Sequence, residues 1–422
     1  MILSRPIHST TDPDPIDLGS IPLVGPDSGL PLRRDRAWSL SDGRTRWPVV
    51  AGVPFLRINR DSLRIEALEA LDAGDERRAL TLLLADQDDY ARIAPPDPSI
   101  LGDLIEAVDS GRATLRGAMD WLRFGPVADY FAFRWSSPTY LSGLALLDRF
   151  GGDPDSGPVI EVACGVGHYL RDLALRGRSC VGVDVVFSKL WLARKFVVPS
   201  GVPLVCGDVT AGFPVGPIPG GAVAFCHDAF YFLPEKPKVV AGLQTLVGDR
   251  GRVVIGHAHN RDFDHGGVAG EPRTPGEYAS LLPGCTLFDD AELARSAWSS
   301  IEAPERSVGD LARVEAVAMV WSASGWDHVP TSNPRSLLDP VPGASLRINP
   351  VLVEEGGALG PRWPSARFEA EYAAGSSYLV GEPVPSPETL GAAANGAGGR
   401  GSDPELDRLA RRRILLDLPE RW

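Results

Sequence analysis

Residues 159–184 constrain this chain more than any other stretch. After Pro158, the residues Val159, Ile160 and Val162 make a short apolar run around Glu161, the pattern of a buried strand. Gly165 and Gly167 follow at once, where the chain must turn sharply and present bare backbone. His168, Tyr169, Leu170, Leu173, Ala174 and Leu175 then recur at helical spacing, and Gly177 predicts the helix C-cap. A second apolar run, residues 180–183, ends in the acidic Asp184. Strand, glycine turn, helix, strand and terminal carboxylate predict a nucleotide-binding βαβ unit and hence an α/β fold.

The details of the turn choose among ligands. A dinucleotide fingerprint needs a third glycine three positions after Gly167, and Leu170 stands there, which disfavours a nicotinamide-dependent oxidoreductase. Glu161, four positions before Gly165, would repel a pyrophosphate but suits a cationic amino-acid moiety. The string Glu161-Val-Ala-Cys-Gly-Val-Gly167 resembles the first motif of class I S-adenosyl-L-methionine (SAM)-dependent methyltransferases. That resemblance implies a Rossmann-like seven-stranded sheet with SAM as cofactor. It assigns Glu161, Ala163, Cys164, Gly165 and Gly167 to cofactor binding and makes Asp184 the ribose-binding acid. Residues 202–206 read as a further strand, ending in Gly207-Asp208-Val209. By the same resemblance Asp208 accepts from the adenine amino group, with the Val209 backbone beside it. A carboxylate there satisfies donors that an apolar slot would leave unpaired.

Composition narrows the partners. The chain has 422 residues, enough for two or three domains, and its 55 acidic against 42 basic side chains give a formal charge of −13. That balance argues against a broad phosphate-binding surface and so against nucleic acid. The fourth strand empties into His227-Asp228-Ala-Phe-Tyr231-Phe-Leu-Pro234, which is not the Asn/Asp-Pro-Pro-Tyr/Phe motif of many enzymes that methylate nucleobase amines. Five cysteines contain no C-x-x-C pair, so neither a disulfide framework nor a metal site is expected. The N-terminal residues lack the apolar run of a signal peptide, and no stretch approaches the roughly 20 apolar residues of a membrane span. The expectation is a soluble cytoplasmic protein.

The chain divides by composition. Residues 1–20 are polar and proline-rich and read as a flexible N-terminus. Residues 21–58 read as a small β-rich module closing on Trp47-Pro-Val-Val-Ala-Gly-Val-Pro-Phe-Leu56. This ending resembles the zinc-ribbon-like domain that partners some methyltransferases. The family's first cysteine would fall at Gly25 and no later pair exists, so zinc binding does not carry over. Residues 61–150 read as a helical cap and 151–330 as the methyltransferase domain. Residues 331–390 read as an irregular extension, 391–402 as a flexible linker and 403–422 as a C-terminal helix capped by Asp403. A protein partner or a homo-oligomer stays open.

The acceptor side is read from aromatic density and strand ends. Asp129-Tyr-Phe-Ala-Phe-Arg-Trp135 precedes the helix leading into the nucleotide unit, where such helices often form a lid in the resembled family. Tyr130 and Arg134 are candidates for substrate binding, with Tyr231 from the fourth strand's loop. His257 and His227 are the catalytic candidates, since each lies at a strand's C-terminal end and imidazole transfers protons near neutral pH. Methyl transfer needs alignment above all, with a base only where the acceptor must lose a proton. The expected function is methyl transfer to a small or medium-sized organic acceptor. The alternative is a degenerate methyltransferase fold that binds or regulates a protein partner.

Overall fold

The computed structural model describes residues 21–87, 93–151, 157–265, 270–299, 301–324, 336–398 and 403–422. The expected flexible segment 1–20 lies outside these residues. Four short strands, β1 (Arg33–Arg36), β2 (Ser39–Ser41), β3 (Arg46–Val50) and β4 (Val53–Pro54), form an antiparallel sheet in sequence order. The helices α1 (Asp61–Asp72), α2 (Glu76–Leu84), α3 (Pro98–Asp109), α4 (Leu115–Trp121), α5 (Pro126–Phe133) and α6 (Pro138–Phe150) follow. Asp75, Thr114 and Ser137 cap α2, α4 and α6 by accepting backbone N–H bonds.

The central sheet contains β5 (Val159–Val162), β6 (Cys180–Asp184), β7 (Leu204–Cys206), β8 (Val223–His227), β9 (Arg252–His259), β10 (Thr286–Asp289) and β11 (Ala316–Ser322). Their order is β10-β11-β9-β8-β5-β6-β7, and only β11 runs against the rest. This is the seven-stranded Rossmann-like arrangement expected from the sequence. The helices α7 (His168–Leu175), α8 (Phe187–Leu192), α9 (Lys236–Val247), α10 (Pro275–Leu281) and α11 (Asp290–Ser299) lie between its strands in the chain. The chain leaves β5 toward β6 on one side and returns to β8 on the other, so the order reverses between β5 and β8. Open parallel sheets bind ligands at that crevice.

Alternation along the strands separates two cores. Ile160, Val162, Val181, Val183, Ala224, Cys226, Val253 and Ile255 belong to one, together with Trp47 and Leu56 of the N-terminal module. Val159, Cys180, Leu204, Val223, Phe225 and Val254 face the other, shared with the cap helices. The N-terminal module also extends the sheet: Leu56 N–H donates to the Cys206 carbonyl at 2.7 Å, and Phe55 bridges Cys206 in parallel. The edge strand β7 is thereby paired. A buried pair, Arg57 with Asp86 at 2.6 Å, ties the module to the end of α2.

The chain after residue 331 departs from expectation. Residues 331–390 were read as irregular because prolines interrupt every apolar run. Instead β13 (Leu352–Glu355) and β14 (Ala358–Pro361) form a hairpin, and β15 (Glu382–Pro383) adds to it. Gly356 and Gly357, with φ of 62° and 86°, make the two-residue turn that matches strand twist. Between these strands lies α12 (Ala366–Tyr372). The expected linker 391–402 begins within α13 (Pro387–Ala394), where Ala393 is fully buried and accepts from Leu346 N–H; residues 399–402 lie outside the described residues. The expected final helix is only α14 (Pro404–Arg411), ended by Arg413 in the left-handed region. Beyond it β16 (Leu415–Leu416) pairs with β12 (Arg347–Ile348).

These segments brace the cap. Tyr378 donates to the Ser136 carbonyl, Arg171 pairs with Asp417, and the Trp422 indole donates to the Ala132 carbonyl. No helix among the described residues is long and apolar enough to cross a membrane. Asn349, fully buried, joins three segments: its Oδ1 accepts from Ser136 Oγ and Val351 N–H, and its Nδ2 donates to the Arg413 carbonyl. Asn349→Ala leaves those groups unpaired and is expected to cost on the order of 3 kcal/mol of stability, read as a lower denaturant midpoint. An unchanged midpoint would show that Asn349 does not brace the cap.

Candidate active site

The glycine turn is built from left-handed backbone. Ala163, Gly165 and Gly167 have φ of 57°, 57° and 81°, and Ala163 holds that conformation without being glycine. A Cβ on Gly165 would meet Phe131 Cε1 at 2.7 Å, and one on Gly167 would meet Val198 Cγ1 at 2.7 Å. The neighbouring strand pins the turn: Asp184 Oδ2 accepts from Gly165 N–H at 2.8 Å, and Oδ1 from Val186 N–H at 2.9 Å. Cys164 donates its N–H to the Val183 carbonyl. Its thiol is buried and pushed up well above its ordinary pKa by that burial.

Glu161 is the exception in this well-paired region. It is buried, and its Oε2 has no hydrogen-bond partner among the described residues. Burial pushes its carboxyl up to about 8 against the Arg134 charge, with Asp184 adding to the rise. An unpaired buried carboxylate oxygen is costly unless a donor or cation arrives. At the next strand, Asp208 Oδ1 accepts from both the N–H and the hydroxyl of Thr210, while the Val209 side chain enters the core. Asp208 therefore shapes its own turn with one oxygen.

On the other side of the crevice, Asp228 is a hub. Its Oδ2 accepts from Tyr130 Oη at 2.8 Å and from Arg134 Nη1 at 2.9 Å; its Oδ1 accepts from Tyr231 Oη at 3.0 Å. The three substrate-side candidates Tyr130, Arg134 and Tyr231 thus converge on one carboxylate. Burial alone would raise the pKa of Asp228, but His257 and Arg134 hold it well below the carboxylate range. Asp228 and His257, at the ends of adjacent strands, both have positive φ, 55° and 47°.

The two catalytic candidates sit in different environments. His227 is buried with both ring nitrogens engaged, Nδ1 by Tyr169 and Arg134 and Nε2 by Ser142. Burial drives its pKa down to about 3, so it is neutral. His257 Nδ1 lies 2.7 Å from Asp290 Oδ2, and its N–H donates to Asp290 Oδ1. Burial would lower its pKa, but Asp290 and Asp228 outweigh it and hold it at about 9. His257 Nε2 lies 3.1 Å from His259 Nε2. The His259 ring stacks with Tyr231 at 4.1 Å and with His265 at 4.3 Å, and its Nδ1 is buried without a partner.

Sequence reasoning missed Asp290, Tyr169, Ser142 and His259 as members of this cluster. Asp290 lies 33 positions from His257 at the start of α11, and no local pattern links the two. His257-x-His259 in a strand puts both rings on one face, and that was the available signal. No metal was expected, yet Asp228, His257 and His259 gather ligand atoms within 4.8 Å of one another.

Comparison with known proteins places residues 160–255 in a family described as a methyltransferase domain. The ubiquinone biosynthesis O-methyltransferase of Chromobacterium violaceum is 31% identical over 96 residues, 22% of this chain and 41% of that protein. Its counterpart in Pseudomonas aeruginosa is 29% identical over 98 residues, 23% and 42% of the two chains. The chain thus spans less than half the length of these relatives. Among solved structures, the complex of the Haloferax volcanii Trm112 methyltransferase activator with a putative methyltransferase is 15% identical, covers 47% of this chain and 93% of that chain, and has a TM-score of 0.34. A possible histamine N-methyltransferase from Thermotoga maritima is 15% identical, covers 45% and 90%, and has a TM-score of 0.32. Residues 160–255 thus match a methyltransferase domain, and SAM is the cofactor that this match supports.

Glu161 yields a pH prediction that needs no ligand. Its folded-state pKa of about 8 lies above the ordinary 4.5, so the folded chain keeps a proton that the unfolded chain releases. The stability that Glu161 contributes therefore falls as pH rises from about 4.5 to about 8. Glu161→Gln cannot ionise: it is expected to exceed wild type by on the order of 3 kcal/mol at pH 8 and to match it near pH 4.5. Chemical denaturation across that range measures the difference, and parallel curves would contradict a buried, proton-holding Glu161.

Proposed function

We propose that the chain is a SAM-dependent methyltransferase that acts on a small or medium-sized organic acceptor. The reading rests first on the unpaired Oε2 of Glu161, buried near a glycine turn that Asp184 holds open. An ammonium supplies what that oxygen lacks, and SAM carries one in its methionine moiety. Gly165 and Gly167 keep the turn free of side chains, Asp184 faces the ribose hydroxyls, and Asp208 offers its second oxygen to the adenine amine. Ala163, Cys164 and Val209 contribute backbone to the same slot.

The acceptor meets the opposite wall, lined by Tyr130, Arg134, Tyr231 and His257. SAM brings an activated methyl group, so the chain's own task is to align the acceptor and exclude water. His257 is the residue we assign to the acceptor, oriented by Asp290. His227 positions Arg134 and Tyr169, because both of its nitrogens are already engaged. The curated relatives are named for O-methyl transfer, which makes hydroxylated molecules the first class to screen.

Isothermal titration tests the donor side. Asp184→Ala and Glu161→Gln are each expected to weaken SAM binding about 10- to 100-fold, the loss of one charge-assisted contact. Wild-type affinity in both variants would overturn the reading. Incubation of wild type with methyl-labelled SAM and a metabolite extract tests the acceptor side: label in a small molecule is expected. Label in RNA or protein would overturn the acceptor class, and SAM binding without transfer would favour a regulatory role.

A further inference from the structure

We propose that Asp228, His257 and His259 bind a divalent transition-metal ion at the acceptor end of the sheet. The three side chains come from the ends of two adjacent strands, β8 and β9, and their ligand atoms lie within 4.8 Å of one another. Two nitrogens bound to one ion at ~2.1 Å each sit about 3.0–3.4 Å apart at ordinary ligand angles. The Nε2 atoms of His257 and His259 are 3.1 Å apart.

Each ligand is held by a contact that leaves its donor atom directed inward. His257 is fixed through Nδ1 by one oxygen of Asp290 and through its backbone N–H by the other, so that Nε2 is the nitrogen an ion takes, in exchange for its proton. A carboxylate behind an imidazole is the arrangement that orients metal-binding histidines and raises their basicity. Asp228 has its Oδ2 occupied by Tyr130 and Arg134, while its Oδ1 accepts from Tyr231 and keeps a further lone pair, 4.0 Å from His257 Nε2. His259 is held by stacking with Tyr231 and His265 at interplanar angles of 8° and 6°. These contacts fix the donors before any ion arrives.

The donor set selects the ion class. Two imidazoles and one carboxylate suit Zn²⁺, Fe²⁺, Co²⁺ or Mn²⁺, whereas Mg²⁺ and Ca²⁺ require oxygen ligands. Three protein ligands leave coordination positions for an oxygen or nitrogen of the acceptor. The metal site stands independently of the transfer reaction; its use in holding the acceptor rests on the proposed function.

Cobalt(II) is the probe, since its visible absorption reports coordination. The full chain, treated with chelator and dialysed, is titrated with Co²⁺ and followed by absorption and by metal analysis. One equivalent with d–d bands is expected, with binding weakened at least tenfold in Asp228→Asn and His259→Gln and about 10- to 100-fold in Asp290→Asn. No stoichiometric uptake by wild type would overturn the site. So would a sulfur-to-cobalt charge-transfer band, which would put the ion on a cysteine, or wild-type affinity in folded Asp228→Asn and His259→Gln. SAM titration of the same samples separates the two proposals. Cobalt binding without SAM binding sinks the methyltransferase reading alone, and SAM binding without cobalt binding sinks the metal site alone.

Discussion

The Arg134–Asp228 ion pair is the contact on which the assembled crevice depends. Both side chains are nearly inaccessible, and the residues are 94 positions apart. Two charges leave water only where geometry and further hydrogen bonds compensate, and breaking such a pair typically costs about 3–5 kcal/mol. Here the compensation is extensive. Tyr130 and Tyr231 complete the shell of Asp228, and Arg134 also contacts His227 and stacks on Tyr130. The pair fixes the end of α5 against the C-terminal end of β8 and so sets the width of the crevice. The C-terminal segment acts on the same place from outside, through Tyr378 and Asn349 on Ser136 and through Trp422 on Ala132.

The two walls of the crevice differ in electrostatic completeness. On the Glu161 side a buried carboxyl keeps its proton for want of a partner, which makes that wall receptive to a cation. On the Asp228 side the carboxylates are hydrogen-bonded to donors and remain charged. Rigid, hydrogen-bonded groups of the second kind are the ones that orient a reactant.

How much could be read from the sequence followed sequence distance. The β5–α7–β6 unit was legible because its signals are local: an apolar run, glycines requiring positive φ, a helical stripe and a strand-end carboxylate. Residues 202–209 and 223–231 were legible for the same reason. Asp290 behind His257 and the convergence of Tyr130, Arg134 and Tyr231 on Asp228 depend on tertiary packing, which no periodicity encodes. The C-terminal segment was misread differently. Its strands have two to four residues and lie among prolines, below the length at which alternation can be recognised. The Gly356-Gly357 pair was the one strong hairpin cue there.

The pairing of Leu56 with Cys206 has a consequence for association. A strand at a sheet margin offers unpaired backbone groups to any passing chain, and proteins commonly cover it. Here the cover belongs to the same polypeptide, separated from β7 by about 150 residues of folded chain. Tethering turns what would be a concentration-dependent encounter into an intramolecular one. Occupancy of that margin therefore does not respond to dilution or to the abundance of a separate subunit. Its stoichiometry is fixed at one when the chain is made.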